Sequence, residues 1–257
     1  MQNLKITLLQ TDLVWENKNA NLANLAAKIE QIKESDLIIL PEMFSTGFSM
    51  EASKLAETME GNTVNWLKNQ AKKSNSAILG SLIIVENEQY FNRLLVVFPQ
   101  GNLLFYDKRH LFELANEHLS YGAGTKKLIF EYKNWKIAAF ICYDLRFPVW
   151  LRNVENYDLA VFVANWPDKR ISHWNSLLQA RAIENQCVVA AVNRVGTDAN
   201  GFYHSGFSTI INANGEILEQ LVDIETAKTA TLSLAELHQF REKLPFLKDK
   251  DNFELSH

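Results

Sequence analysis

The sequence predicts an α/β protein in which mixed sheets are covered by helices, within one domain spanning residues 1–257. Three observations carry this expectation. A strand–helix–strand order opens the chain and returns later, hairpins interrupt it in the middle, and no low-complexity linker or internal repeat divides the 257 residues. Hydrophobic residues at 47% and charged residues at 22% are ordinary values for a globule of this size, which can bury a substantial core.

The elements follow in order. Residues 4–10 read as a first strand, and 17–34 place Leu22, Leu25, Ile29 and Ile32 at three- and four-residue spacing, one apolar face of a helix. The apolar run 36–40 has strand length and stops at Pro41 and Glu42, ahead of a loop through Gly47. A helix over 63–73, striped by Val64, Leu67 and Ala71, returns through Asn75 to a strand at 77–85. Runs 90–98 and 102–106 form a hairpin around Pro99-Gln100-Gly101, and Lys108 stands just past its end. The mixed stretch 111–124 is a loop with one helical turn.

Strands at 127–132 and 135–142 come next, then a turn and a helix opened by Pro148, a residue suited to the first helical position. The strand 159–164 ends in Asn165-Trp166-Pro167. A helix over 172–185 shows Trp174, Leu177, Leu178 and Ala182 on one face, with Ser172 as its N-cap. Strands at 187–192, 206–211, 217–221 and 227–232 and a short helix at 234–241 complete the pattern.

A net charge of −4 provides no field to attract nucleic acid or acidic membranes. Two cysteines make no disulfide framework, and no zinc-type spacing joins them to histidines. The N-terminal run is too short and too alternating for a signal peptide, and no apolar run approaches the roughly 20 residues of a membrane span. A cytoplasmic, unprocessed protein is the expectation.

Four predicted strands end in polar residues, Glu42, Lys108, Cys142 and Asn165, and ligands of open α/β sheets gather at carboxyl ends of strands. Cys142 is the reactive candidate. Its strand turns polar at once in Tyr143, Asp144 and Arg146, whereas Cys187 lies inside Cys-Val-Val-Ala-Ala-Val and reads as a buried structural thiol. A free thiol ionises near ~8.5, so a carboxylate base and a lysine cation at its side would activate it. His110 and His173 stand in no recognisable Cys–His protease context. Phe44, Phe48, Phe112 and Trp166 follow strand ends and are candidates for an apolar pocket wall.

Three ordered motifs, Leu40-Pro41-Glu42-Met43-Phe44, Tyr106-Asp107-Lys108-Arg109-His110-Leu111-Phe112 and Ile141-Cys142-Tyr143-Asp144-Leu145-Arg146-Phe147-Pro148, resemble the nitrilase or carbon–nitrogen hydrolase superfamily. The resemblance implies a four-layer α-β-β-α sandwich of two mixed sheets, a Glu42, Lys108 and Cys142 catalytic set, no metal or organic cofactor, and a homodimer or larger assembly. It also implies a second glutamate between lysine and cysteine. Glu113 and Glu117 are both available, and Glu117, which precedes a glycine turn, matches the pattern better.

Within the superfamily, Cys-Tyr-Asp-Leu-Arg-Phe-Pro is similar to the ω-amidase group, which hydrolyses terminal amides such as that of 2-oxoglutaramate. Nitrilases usually carry Trp-Glu after the cysteine, so nitrile hydrolysis is disfavoured. Val149 replaces the Glu of many relatives, which leaves the substrate more open. The candidate substrate-binding residues are Tyr143, whose backbone N–H would help hold an oxyanion, Trp166, whose Asn165-Trp166-Pro167 setting resembles the family's strand-end motif, and, by their positions, Phe44, Phe112 and Arg146. Arg146 has two readings, a bidentate partner for the far carboxylate of an ω-amide or a lock on the turn through Asp144 or another acid. The rivals are an N-carbamoyl hydrolase or acyltransferase with the same set, and a silent binding module of the same fold.

Overall fold

The computed structural model describes residues 3–251 and 253–255. The first half of the chain runs β1 (Asn3–Gln10), α1 (Lys18–Glu30), β2 (Leu37–Ile39), α2 (Ala52–Leu55), α3 (Asn62–Ser74), β3 (Ala77–Glu86), β4 (Gln89–Val97), β5 (Leu103–Asp107) and α4 (Glu117–Ser120). The second runs β6 (Leu128–Tyr132), β7 (Trp135–Ile141), α5 (Pro148–Leu151), β8 (Leu159–Ala164), α6 (Ile171–Asn185), β9 (Val188–Asn193), β10 (Val195–Thr197), β11 (Tyr203–Ile211), β12 (Ile217–Val222), β13 (Thr226–Ser233) and α7 (Leu234–Lys243).

Two mixed sheets result. The first has six strands in the order β13-β1-β2-β3-β4-β5, and the second has β10-β11-β9-β8-β7-β6 with β12 paired to β11. Each has a parallel centre, β1-β2-β3 and β7-β8-β9, flanked by antiparallel strands. Period-two alternation divides the apolar side chains of the first sheet. Leu37 and Ile39 join the core shared with the second sheet, while Ile38 and Leu40 pack with Leu25 and Ile29 of α1 and Val64 and Leu67 of α3. On the far side Trp174, Leu178 and Ala182 bring α6 onto the second sheet. The four-layer α-β-β-α sandwich is the outcome.

Caps set some of the boundaries. The Asn17 side chain accepts from the Ala20 N–H at the start of α1, and Asn75 closes α3 in the left-handed conformation. Two expectations need correction. The α1 helix ends at Glu30, short of the predicted Glu34. Ser172 is not an N-cap, because a 3₁₀ turn at Asp168–Arg170 runs straight into α6 and places Arg170 at the cap position.

Candidate active site

Cys142 follows β7 with φ at +42°, a region that costs a non-glycine residue of the order of 1–3 kcal/mol and is held only when its surroundings insist. The restraint is Asp144. Its buried carboxylate accepts from the Ile141 N–H at 3.1 Å, the Tyr106 hydroxyl at 2.7 Å, and the backbone N–H and Nδ1 of His110 at 3.0 and 2.8 Å. One acid thus ties the cysteine turn to the segment that carries Lys108.

Glu42 lies just past β2 and is fully buried, with Met43 after it at φ +43° and anchored by its N–H to Ser81 Oγ at 2.8 Å. Its Oε1 accepts from Lys108 Nζ at 2.8 Å and Asn92 Nδ2 at 2.9 Å, and its Oε2 accepts from the Asn165 N–H at 2.8 Å. Asn165 Nδ2 donates to the Glu42 carbonyl at 2.5 Å, which fixes which way that amide faces. The Glu42 carboxylate and the Lys108 ammonium both act on the Cys142 thiol, and Cys142, Lys108 and Asn165 line one cavity. The four strand-end residues therefore meet in one place.

Lys108 Nζ also donates to Glu117 at 3.0 and 2.9 Å, while the Phe112 N–H donates to Glu117 Oε2 at 2.6 Å. Glu117 is buried and Glu113 is exposed, so Glu117 is the second glutamate in the cluster. Burial opposes the ammonium charge of Lys108, yet the Glu117 and Glu42 carboxylates outweigh it and hold the lysine above its ordinary value. Burial also raises Glu117, with Lys108 opposing and Glu42 adding to the rise.

The sulfur departs from expectation. Enclosure pushes the Cys142 thiol well above its ordinary value, the Glu42 carboxylate pushes it further, and Lys108 offsets only part. The resting group is a neutral thiol beside an acceptor, and proton removal must accompany its use as a nucleophile.

A cavity of ≈ 510 Å³ opens on this cluster and is lined by Lys108, Cys142, Tyr143, Arg146, Phe112 and Trp166 among others. Phe44, expected there, is absent from that wall. It is fully buried under α3 with its ring 6.0 Å from Trp66, because the turn after Glu42 sends it back into the helix–sheet core. Phe48 takes the wall position instead, 5.0 Å from Lys108 Nζ. Arg146 does not pair with Asp144. Its Nη2 lies 3.2 Å from His173 Nδ1 and its guanidinium sits 4.7 Å from the centre of the Trp166 ring.

Sequence reasoning missed Asn92, which donates to Glu42 and also to Glu117 at 3.2 Å, although a buried Asn-Arg pair inside an apolar strand is a visible oddity. It also missed Arg170 and the β10–β11 hairpin, whose Asp198, Phe202 and His204 reach the cavity.

His204 supplies a pH test. Burial and then Arg194 push its imidazole down to about 4 from an ordinary 6.5. Between those values the unfolded chain binds more protons than the folded one, so stability is full above pH 6.5 and is lost as pH falls through 4. The loss amounts to about 3 kcal/mol on the linkage relation. Chemical denaturation at pH 7 and pH 4 should show His204→Gln losing less stability than the parent over that interval; equal losses would remove His204 as the cause.

A carbon–nitrogen hydrolase family model matches residues 5–242. The chain belongs to the carbon–nitrogen hydrolase family. It is 48% identical over 256 residues to the omega-amidase YafV of Escherichia coli K12, covering 99% of this chain and 100% of the relative. It is 35% identical to the 2-oxoglutaramate amidase of Bacillus subtilis, covering 95% and 96% of the two chains. Among solved structures, a carbon–nitrogen hydrolase superfamily protein of Xanthomonas campestris with an arsenic adduct in its active site superposes with a TM-score of 0.98 at 45% identity, covering both chains in full. As a carbon–nitrogen hydrolase, the chain is an enzyme that cleaves such a bond, and the Glu42, Lys108 and Cys142 cluster is the arrangement in it suited to that chemistry.

Proposed function

We propose that this carbon–nitrogen hydrolase is an ω-amidase, converting the terminal amide of small 2-oxo acid ω-amides to a carboxylate and ammonia through a thioester on Cys142. The Glu42–Lys108–Cys142 cluster, in which Glu42 and Lys108 are buried and Cys142 is half-buried on a cavity wall, carries the reading, and 48% identity to an omega-amidase over the whole chain supports the substrate class.

The mechanism follows from the contacts. Glu42 takes the thiol proton as sulfur attacks the amide carbon, since the thiol does not ionise unaided. The oxyanion forms between the Lys108 ammonium and the backbone N–H of Tyr143. The proton held by Glu42 passes to the departing nitrogen, ammonia leaves, and the thioester remains. Glu42 then deprotonates a water that attacks the thioester carbon, and its proton returns to sulfur as the acid departs. Glu117 holds Lys108 alongside Glu42 and keeps it charged. Neither a metal nor an organic cofactor is required by these steps.

We infer that residues 1–257 act as one hydrolase domain and that it works in the cytoplasm as a homodimer. Exposed Val149 on α5 and Ile183 on α6 support a helix-face contact, and two unpaired cysteines support a reducing compartment. Among the described residues no helix is long and apolar enough to cross a membrane. The functional test is ammonia release from 2-oxoglutaramate and 2-oxosuccinamate beside an N-carbamoyl amine and a nitrile. The expected result is turnover of the two ω-amides with the others at least about 100-fold slower in kcat/KM. Faster turnover of the carbamoyl amine would overturn the assignment.

A further inference from the structure

The cavity wall contains two arginines, and only one was foreseen. Arg146 and Arg170 both line it, together with Cys142. Each guanidinium is braced by an aromatic ring, Arg146 at 4.7 Å from Trp166 and Arg170 at 5.4 Å from Phe112. Arg146 is further held by His173, 3.2 Å away. Arg170 is placed by the 3₁₀ turn that precedes α6, and that turn is pinned twice. The Trp166 Nε1–H donates to the Arg170 carbonyl at 2.8 Å, and the Ser205 hydroxyl donates to Asp168 Oδ1 at 2.5 Å.

Neither arginine has a carboxylate partner among the described residues. Two of the acids that share the wall, Glu16 and Asp198, are occupied elsewhere, and the third, Glu51, forms no ion pair with either arginine. Glu16 accepts from Lys54 at 2.9 Å and Ser49 at 2.7 Å, and Asp198 accepts from the Asn200 and Phe202 N–H groups at 2.9 Å each. The two cations also feel each other, since Arg170 adds to burial in lowering Arg146. Half-buried like charges on one cavity wall without a counter-ion are unfavourable in the free protein, and an anion bound by both relieves that cost.

We propose that Arg170, with Arg146, forms a two-guanidinium subsite that binds the far carboxylate and the adjacent oxygen of the substrate. The proposal rests on the ω-amidase reading and extends it from Arg146 to a residue not previously assigned. The chemistry selects a class. A monoamide of a dicarboxylic acid with a 2-oxo or 2-hydroxy group beside its free carboxylate offers acceptors to both planar forks, and an N-carbamoyl amine without an acid offers none. Arg170 is a binding residue here, and it acts on specificity rather than on the bond broken.

The test compares kcat/KM for glutaramate, which has the carboxylate, with that for 5-methylhexanamide, where an isopropyl group of the same shape replaces it. The readout is the ratio of the two in the parent, Arg170→Ala, Arg170→Lys and Arg146→Ala. In Arg170→Ala the ratio should fall roughly 10- to 100-fold, the worth of a hydrogen bond to a charged group, chiefly through a raised KM for glutaramate. Arg170→Lys should recover part of the loss, and 2-oxoglutaramate should suffer more than glutaramate because its oxo oxygen is also read. An unchanged ratio in Arg170→Ala, with the parent still preferring the charged amide, overturns the role of Arg170 and leaves the ω-amidase reading standing. A parent that shows no preference for the charged amide overturns both.

Discussion

Cys142→Ala is expected to abolish ammonia release, with kcat reduced by about 10⁴-fold or more, while the protein stays folded. The reasoning is local. Glu42, Lys108 and Asn165 keep their mutual hydrogen bonds when the sulfur is removed, because none of those bonds passes through it. Thermal unfolding should move little. A companion variant separates chemistry from strain: Cys142→Gly removes the nucleophile equally, but glycine accepts φ +42° freely, so it should be more stable than Cys142→Ala by about 1 kcal/mol. Calorimetry beside the ammonia assay checks both halves, and substantial residual turnover in either variant would refute the cysteine mechanism.

Lys108→Met should be the most damaging substitution for stability. Lys108, Glu42 and Glu117 are all buried in one cluster, and without the ammonium two carboxylates remain enclosed with no cation. Breaking a buried pair in this way costs about 3–5 kcal/mol, and activity should drop by about 10³-fold from loss of the oxyanion partner. The pH dependence has a definite sign. A carboxyl raised by burial, as Glu117 is, favours the folded state below its ordinary value and loses that contribution as pH rises through its raised value. With Lys108 gone the rise grows, so the deficit of Lys108→Met should shrink toward pH 4.5 and widen toward neutrality. In the parent, Lys108 is itself raised, so its contribution persists to at least its ordinary value of 10.5. Urea titrations of both proteins at several pH values test the contrast.

The reach of sequence reasoning was set by how local each cause is. Glu42, Lys108 and Cys142 were legible because each ends an apolar strand, and a strand end announces itself within a few residues. Their meeting point depends on how the two sheets stack, which sets the ends of β2 and β5 of one sheet against those of β7 and β8 of the other. The return of β13 to pair with β1, more than 200 residues away, left no mark in either segment. Phe44 was misplaced because one residue in a turn decides which side of the sheet a side chain meets, and here Met43 at φ +43° sends it into the core. Ser172 looked like a cap, but the turn that begins at Asp168 supplied the helix start. Arg170 was hidden for the same reason, in a charged run that reads as solvent-facing until the turn aims it at Phe112.

Trapping the acyl-enzyme decides whether Cys142 is the nucleophile. The enzyme should be mixed with 2-oxoglutaramate, quenched in acid during steady turnover, digested and examined by mass spectrometry. An acyl adduct is expected on the peptide carrying Cys142, released by hydroxylamine and absent from Cys142→Ala. A parent enzyme that releases ammonia at full rate while Cys142 stays unmodified, with or without a modification on Cys187 or another residue, would contradict it.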